Sequence, residues 1–219
     1  IFFHIQSSFD VVSEQGKETD MAFKARQFRL EIKGNLTDKL FYRFRQRLNK
    51  PTNPQSLDNL GKATDYMYVG YKATDKITLI TGKQRQAWGG FEFDLNAINV
   101  HEYSDFINAM DNSMMGGTII YTPFKNQEFQ FQITNNRNSY LEDIYGDLSA
   151  QGIEQSHSPL AYVINWNGSF LNKRFQTRWA YGIQTEAKNN YSKMITLGTK
   201  YNLEQFQLTF DFMNADEKI

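Results

Sequence analysis

Apolar side chains recur at every second position in one stretch of this chain after another, and that period admits β-strands and little else. Phe3, Ile5, Ser7, Phe9 and Val11 alternate with His4, Gln6, Ser8 and Asp10. Phe28, Leu30 and Ile32 are set against Arg29, Glu31 and Lys33, and Tyr42 and Phe44 against Arg43, Arg45 and Arg47. The same alternation runs through 129–134, 175–184, 194–201 and 206–212. Less regular runs at 66–72, 77–85, 117–122 and 161–167 bring the expectation to about eleven strands. Tyr66–Tyr71 carries aromatics at both parities, and in 77–85 neither parity is marked as inner or outer. The apolar parity flips between Ala25 and Phe28, which predicts a bulge near Arg26–Gln27.

The connections add a second pattern. Gly34–Lys39, Ala73–Lys76, Pro123–Gln127, Gly168–Lys173 and Asn202–Gln205 are tight. Between them fall the longer Ser13–Met21, Leu48–Asp65, Gln86–Gly116, Asn135–Pro159 and Thr185–Tyr191. Strict alternation of short and long is what an up-and-down meander gives when turns are tight at one end and loops are free at the other. That is the plan of an outer-membrane barrel. A soluble β-sandwich also alternates, because one face of each sheet packs on a core. Here the apolar face stays large and aromatic throughout, and the opposite face carries Arg, Lys, Gln and Thr on successive strands. Aromatics at the strand ends (Phe41, Tyr42, Tyr66, Tyr181, Tyr201) read as interfacial girdles. The reading is therefore all-β: an antiparallel up-and-down transmembrane β-barrel, with residues 1–219 forming part of a single barrel domain.

Composition removes the competing classes. The chain has 24 Lys+Arg and 24 Asp+Glu, so no net charge marks it for nucleic acid. Cys 0 excludes disulfides and thiol chemistry. No apolar run approaches the roughly 18 residues of a membrane helix. The chain opens at Ile1-Phe2-Phe3 with no basic leader, so any signal peptide is expected to have been removed. Bacterial single-chain barrels use even strand numbers, and an open sheet edge in lipid is costly. The odd count predicts further strands beyond these residues.

The zero net charge conceals a separation of sign. Arg29, Lys33, Arg43, Arg45 and Arg47 fall on the polar faces of two strands joined by one tight turn, a basic ladder down one wall. Arg178 and Lys200 add cations on later strands. The long connections are acidic, with Glu14, Glu18, Asp58, Asp65, Glu92, Asp94, Asp111 and Glu154 among others. A ladder of guanidinium groups lining a low-dielectric channel concentrates anions, and arginine matches carboxylate and phosphate oxygens. Alternatively, the arginines pair with Glu31 and the loop acids and only stiffen the wall. Gln86–Gly116 is the longest connection, long enough to fold inward and narrow a lumen. Its Phe106–Met110 stretch suits a brief helix on the inner wall.

No Walker loop or GxSxG is present. His4, His101 and His157 lie far apart, which gives no metal-ligand spacing. Ser156-His157-Ser158 is the stretch that a barrel hydrolase reading rests on, and loops accumulate such residues by chance. No cofactor, metal or catalytic residue is expected. The readings are a porin, a structural barrel subunit of a larger outer-membrane assembly, and last a barrel hydrolase.

Phe23-Lys24-Ala25-Arg26-Gln27-Phe28-Arg29-Leu30-Glu31-Ile32-Lys33-Gly34-Asn35-Leu36 and its partner Phe41-Tyr42-Arg43-Phe44-Arg45-Gln46-Arg47 resemble the early hairpin of the phosphate-selective porin O and P family, Bacteroidota branch. Asp65-Tyr66-Met67-Tyr68-Val69-Gly70-Tyr71, followed by Ile77 to Gly82-Lys83, resembles the next hairpin. The resemblance covers roughly the N-terminal half. It implies a 16-stranded trimeric porin in the bacterial outer membrane, bathed in lipid, with a constricting third loop and passage of small anions. It makes Arg29, Arg43, Arg45 and Arg47 ladder candidates and puts Lys83 and Arg85 at the base of the loop. After Gly82-Lys83 the family pattern has a proline-containing segment, whereas this chain reads Gln84-Arg85-Gln86-Ala87-Trp88-Gly89, and its loop is acidic without a lysine cluster.

Overall fold

The alternation resolves into one continuous antiparallel sheet in the computed structural model, which describes residues 1–13, 15–16, 19–95, 100, 102–148 and 151–217. Eleven strands pair in chain order: β1 Phe2–Val12, β2 Asp20–Asn35, β3 Leu40–Arg47, β4 Thr64–Lys72, β5 Ile77–Arg85, β6 Ser113–Phe124, β7 Gln127–Asn135, β8 Leu160–Phe170, β9 Phe175–Ala187, β10 Asn190–Asn202 and β11 Gln207–Asp216. Two short helices, α1 Asp105–Ala109 and α2 Leu141–Tyr145, lie in the long connections. A second sheet, which a sandwich needs, is not present among the described residues. No helix there is long and apolar enough to cross a membrane. β1 and β11 each keep one edge without a strand partner, so the sheet is not closed.

Burial is reversed relative to a water-soluble protein. Phe23 is 87% exposed and Phe210 62%, whereas Thr196 is 0% and Gln132 3% exposed. Register explains this: Phe9 pairs with Phe23 and Val11 with Met21 on one face, and Arg29 pairs with Arg47 on the other. The predicted bulge is real. Gln6 pairs with Gln27 and Ser7 with Ala25, so Arg26 is the extra residue that restores the apolar parity.

The two ambiguous strands are settled by their neighbours. Arg43 pairs with Tyr68 and Arg45 with Tyr66, which puts those tyrosines on the polar face and Met67, Val69 and Tyr71 on the apolar one. Gly70 pairs with Ile80, so Ile80 and Gln84 are polar-face residues and Leu79 is apolar-face. Two girdle assignments are corrected by the same register. Tyr66 and Phe41 lie on the polar face, Phe41 opposite Gly70. The aromatic belt at the tight-turn end is built instead from Phe129, Trp166, Phe170, Phe175 and Trp179, with ring centroids 5.3–6.4 Å apart.

The alternation of short and long connections holds until the last long one. Thr185–Tyr191 is a two-residue hairpin, because β9 runs to Ala187 and β10 starts at Asn190. Asn189 adopts φ 63°, the left-handed conformation such a turn needs. Asp65 is likewise corrected from a loop acid to a residue of β4.

Candidate functional site

β2 and β3 present their cations to the polar face because arginine alternates with apolar residues, and register then stacks them in rows. Two carboxylates thread the rows. Glu31 takes Arg43 at 3.0 Å and Lys33 at 3.8 Å. Asp65 takes Arg47 at 2.7 Å, Arg45 at 2.9 Å and Arg29 at 3.8 Å. Both acids are almost fully buried. The Tyr66 ring lies between two guanidiniums, with Arg43 4.3 Å and Arg45 4.2 Å from its centroid. Five cations thus share two carboxylates. Pairing and excess positive charge coexist in this wall.

Arg85, at the end of β5, donates to the Tyr66 hydroxyl at 3.2 Å and to the Phe93 carbonyl, and lies 3.7 Å from Asp94. Arg178 reaches the same Asp94 at 2.8 Å from the opposite side. Lys200 makes no ion pair among the described residues, and its ammonium sits 4.8 Å from the Phe91 ring centroid. Lys83 is set apart from this group. It is 2% exposed, and Asp58 of the β3–β4 connection holds it at 2.5 Å, so its charge is matched and shielded.

The long β5–β6 connection runs across the polar face. It leaves β5 with the Ala87 amide donating to Gln132 at 2.8 Å and Gln86 donating to Thr134 at 2.9 Å. Trp88 then packs on β9: a Cβ on Gly182 would stand 2.1 Å from its ring. The Gly90 amide donates to the Arg178 carbonyl at 2.9 Å. At the far wall the Asp211 carboxylate of β11 accepts the Phe91 amide at 2.8 Å and the Glu92 amide at 2.9 Å. The expected helix is α1, one residue earlier than the Phe106–Met110 stretch. Ser104 caps it, and Ile107 packs in a small apolar cluster with Trp88, Phe93, Val163, Ala180 and Met194. Tyr103 hangs from the loop near the ladder. Burial pushes its phenol above the ordinary range, against the pull of Arg29, Arg85 and Arg45. A space of about 300 Å³ remains between loop and sheet, bordered by Arg43, Tyr68, Arg85, Asp94 and Arg178.

What holds the loop has no local signal in the sequence. Asp211 was visible only as a lone acid at the polar parity of the last strand. Gly182 and Gly198 were visible only as glycines at the polar parity of adjacent strands. In the Ser156-His157-Ser158 stretch, the Ser156 hydroxyl accepts the Ser158 amide at 3.1 Å, a local turn bond. His101, Glu14 and Glu18 lie outside the described residues. No group of His, Asp or Glu suited to a metal occurs among the described residues.

No curated protein matches the chain. A family match, phosphate-selective porin O and P, extends over residues 2–219. It covers every strand of the sheet, including the C-terminal half that the sequence resemblance did not reach. An inside-out antiparallel sheet, a basic wall and a loop laid across the polar face fit a channel rather than an enzyme. The chain belongs to the phosphate-selective porin O and P family, and so to the outer-membrane porins.

Proposed function

We propose that this chain forms part of a single water-filled barrel, closed by further strands, that lets small hydrophilic solutes diffuse across the bacterial outer membrane and favours anions. The open edges of β1 and β11 call for partners in lipid, where each unpaired backbone group costs several kcal/mol. The β5–β6 loop is the constriction, and Arg29, Lys33, Arg43, Arg45 and Arg47 form the charged wall facing it, with Arg85, Arg178 and Lys200 at the loop. Lys83 anchors the base. The assembly is a homotrimer, as in the family.

One observation carries the anion preference: five cations on β2 and β3 share only Glu31 and Asp65. The surplus positive potential raises the local anion concentration and repels cations. An anion passing the wall exchanges part of its hydration for guanidinium N–H groups, which are oriented in advance by the buried carboxylates. The test is reversal potential in a KCl gradient across a planar bilayer. The wild type is expected to be anion-selective, and Arg43→Glu with Arg45→Glu to lose or reverse that preference. Unchanged selectivity in the double variant would sink the wall as the filter. Block of chloride current by micromolar phosphate would sharpen the preference to phosphate.

A further inference from the structure

Glu31, Asp65 and Asp94 all meet arginines on the polar face, and the third differs in kind. The side chains of Glu31 and Asp65 are 5% exposed, whereas that of Asp94 is 51% exposed. Two arginines from different strands reach it. Arg178 of β9 donates through Nε to Asp94 Oδ2 at 2.8 Å, and Arg85 Nη1 at the end of β5 lies 3.7 Å from Asp94 Oδ1. Each carboxylate oxygen thus has a guanidinium of its own.

Neither arginine depends on Asp94 for its position. Arg85 donates through Nε to the Tyr66 hydroxyl at 3.2 Å and through Nη1 to the Phe93 carbonyl. Arg178 donates through Nη1 to the Thr177 carbonyl at 2.9 Å, and its guanidinium lies 5.2 Å from the Phe91 ring centroid. The loop does not depend on Asp94 either. Asp211 holds the Phe91 and Glu92 amides, and the Arg178 carbonyl holds the Gly90 amide. Asp94 itself is fixed through its main chain, its amide donating to the Phe91 carbonyl at 3.1 Å. Rotation about its side-chain bonds therefore moves the carboxylate away while both guanidiniums and the loop stay in place. What is left is a pair of oriented guanidiniums beside the space of about 300 Å³, with Arg43 on the same border. Such a pair is pre-organised for the group that has just left it.

We infer that Asp94 is a tethered occupant of a carboxylate site formed by Arg85 and Arg178, and that it sets how tightly the constriction holds carboxylate solutes, short dicarboxylates foremost. The inference rests on the pore reading above, because the competitor for the site is the passing solute. Its chemistry is read from the occupant: one planar group gives one oxygen to each guanidinium. A dicarboxylate adds a second group for Arg43. A tethered ligand competes at a high effective concentration, so a solute displaces it briefly and leaves quickly. Passage needs binding of that kind, favourable enough to enter and weak enough to leave.

Isothermal titration calorimetry of the full-length protein in detergent, with succinate, acetate and inorganic phosphate, tests it. Asp94→Asn should bind succinate about tenfold more tightly than the wild type, because the built-in competitor is gone. Arg178→Gln in that background should remove the gain. A carboxylate that only braced the loop would leave succinate affinity unchanged or lower it. Thermal melts check that the variants fold, and Asp94→Ser repeats the test with a smaller side chain. No gain in either Asp94 variant overturns the inference. So does a gain that survives Arg178→Gln, or a gain for phosphate as large as that for succinate. Planar-bilayer conductance separates the two readings. A conducting, anion-selective protein without the gain overturns this site alone, and a protein that shows the gain but does not conduct overturns the pore alone.

Discussion

The wall of β2 to β4 and the seat of β9 to β11 are halves of one sheet built to opposite rules. On β2 and β3 the polar face carries long cationic side chains, braced by two buried carboxylates and an aromatic ring, and among the described residues no backbone hydrogen bond joins the loop to it. On β9 and β10 the loop's backbone lies against the polar face where the side chains are smallest, at Ala180, Gly182 and Gly198. Long side chains hold a space open. Small ones allow a second layer of backbone to approach. The polar space is therefore lopsided, with a row of five cations on one flank and its obstruction anchored to the other.

The largest expected effect comes from filling the seat. A Cβ on Gly198 would stand 2.8 Å from the Gly90 Cα, a backbone atom that cannot swing aside. Gly198→Val should lift the loop from β10, at a cost of about 3 kcal/mol, the upper end of ordinary overpacking. Thermal melts and a raised single-channel conductance check it. An unchanged conductance would mean that the loop does not set the bore.

Next is the clasp at β11. Asp211→Ala removes a charged acceptor from two backbone amides and should destabilise the loop's docking by about 2 kcal/mol. Faster hydrogen exchange at Phe91 and Glu92, with the strands unaffected, is the readout. Exchange that rises equally everywhere would show a global loss instead.

On the opposite flank, Asp65→Asn removes one of the two acids while keeping its shape. Three arginines then lose their counter-charge, so anion preference should rise, most clearly at low salt where screening is weakest. Reversal potentials at two ionic strengths check this. A fall in anion preference would show that the acids orient the arginines more than they neutralise them.

The smallest effect belongs to Glu154. A hydrogen bond from Lys188 holds its carboxyl below the ordinary value, and both groups are solvent-exposed. A depressed folded-state pKa adds stability above the ordinary carboxylate range and loses it as pH falls through the folded value. Because water screens the pair, Glu154→Gln should leave the neutral-pH melt unchanged and slightly flatten its acid dependence.

What the sequence made legible follows from how local each feature is. Strand period, the Arg26 bulge and the basic ladder are written in residues a few positions apart. The expectation of about eleven antiparallel strands agrees with the eleven in the sheet. Tyr66 and Tyr68 could not be assigned a face from within β4, because aromatic and aliphatic residues stand at both parities there. Only the pairing of Arg43 and Arg45 with them decides it. Asp65 read as a loop acid because nothing nearby signals that β4 begins at Thr64. The clasp joins residues 120 positions apart, Phe91 and Asp211, and no spacing rule reaches that far. The seat was hardest to see, since its signature is the lack of a side chain.

The reversed burial of the sheet makes the surrounding medium part of the fold. Phe23, Phe210, Ile164 and their neighbours face outward, so the transfer of apolar surface that stabilises an ordinary domain is completed here only by molecules outside the chain. Lipid tails do for this sheet what a hydrophobic core does for a soluble one. The folding free energy is therefore a joint property of protein and solvent phase. A change of acyl-chain length or of detergent acts on it as a core mutation would, without altering a residue.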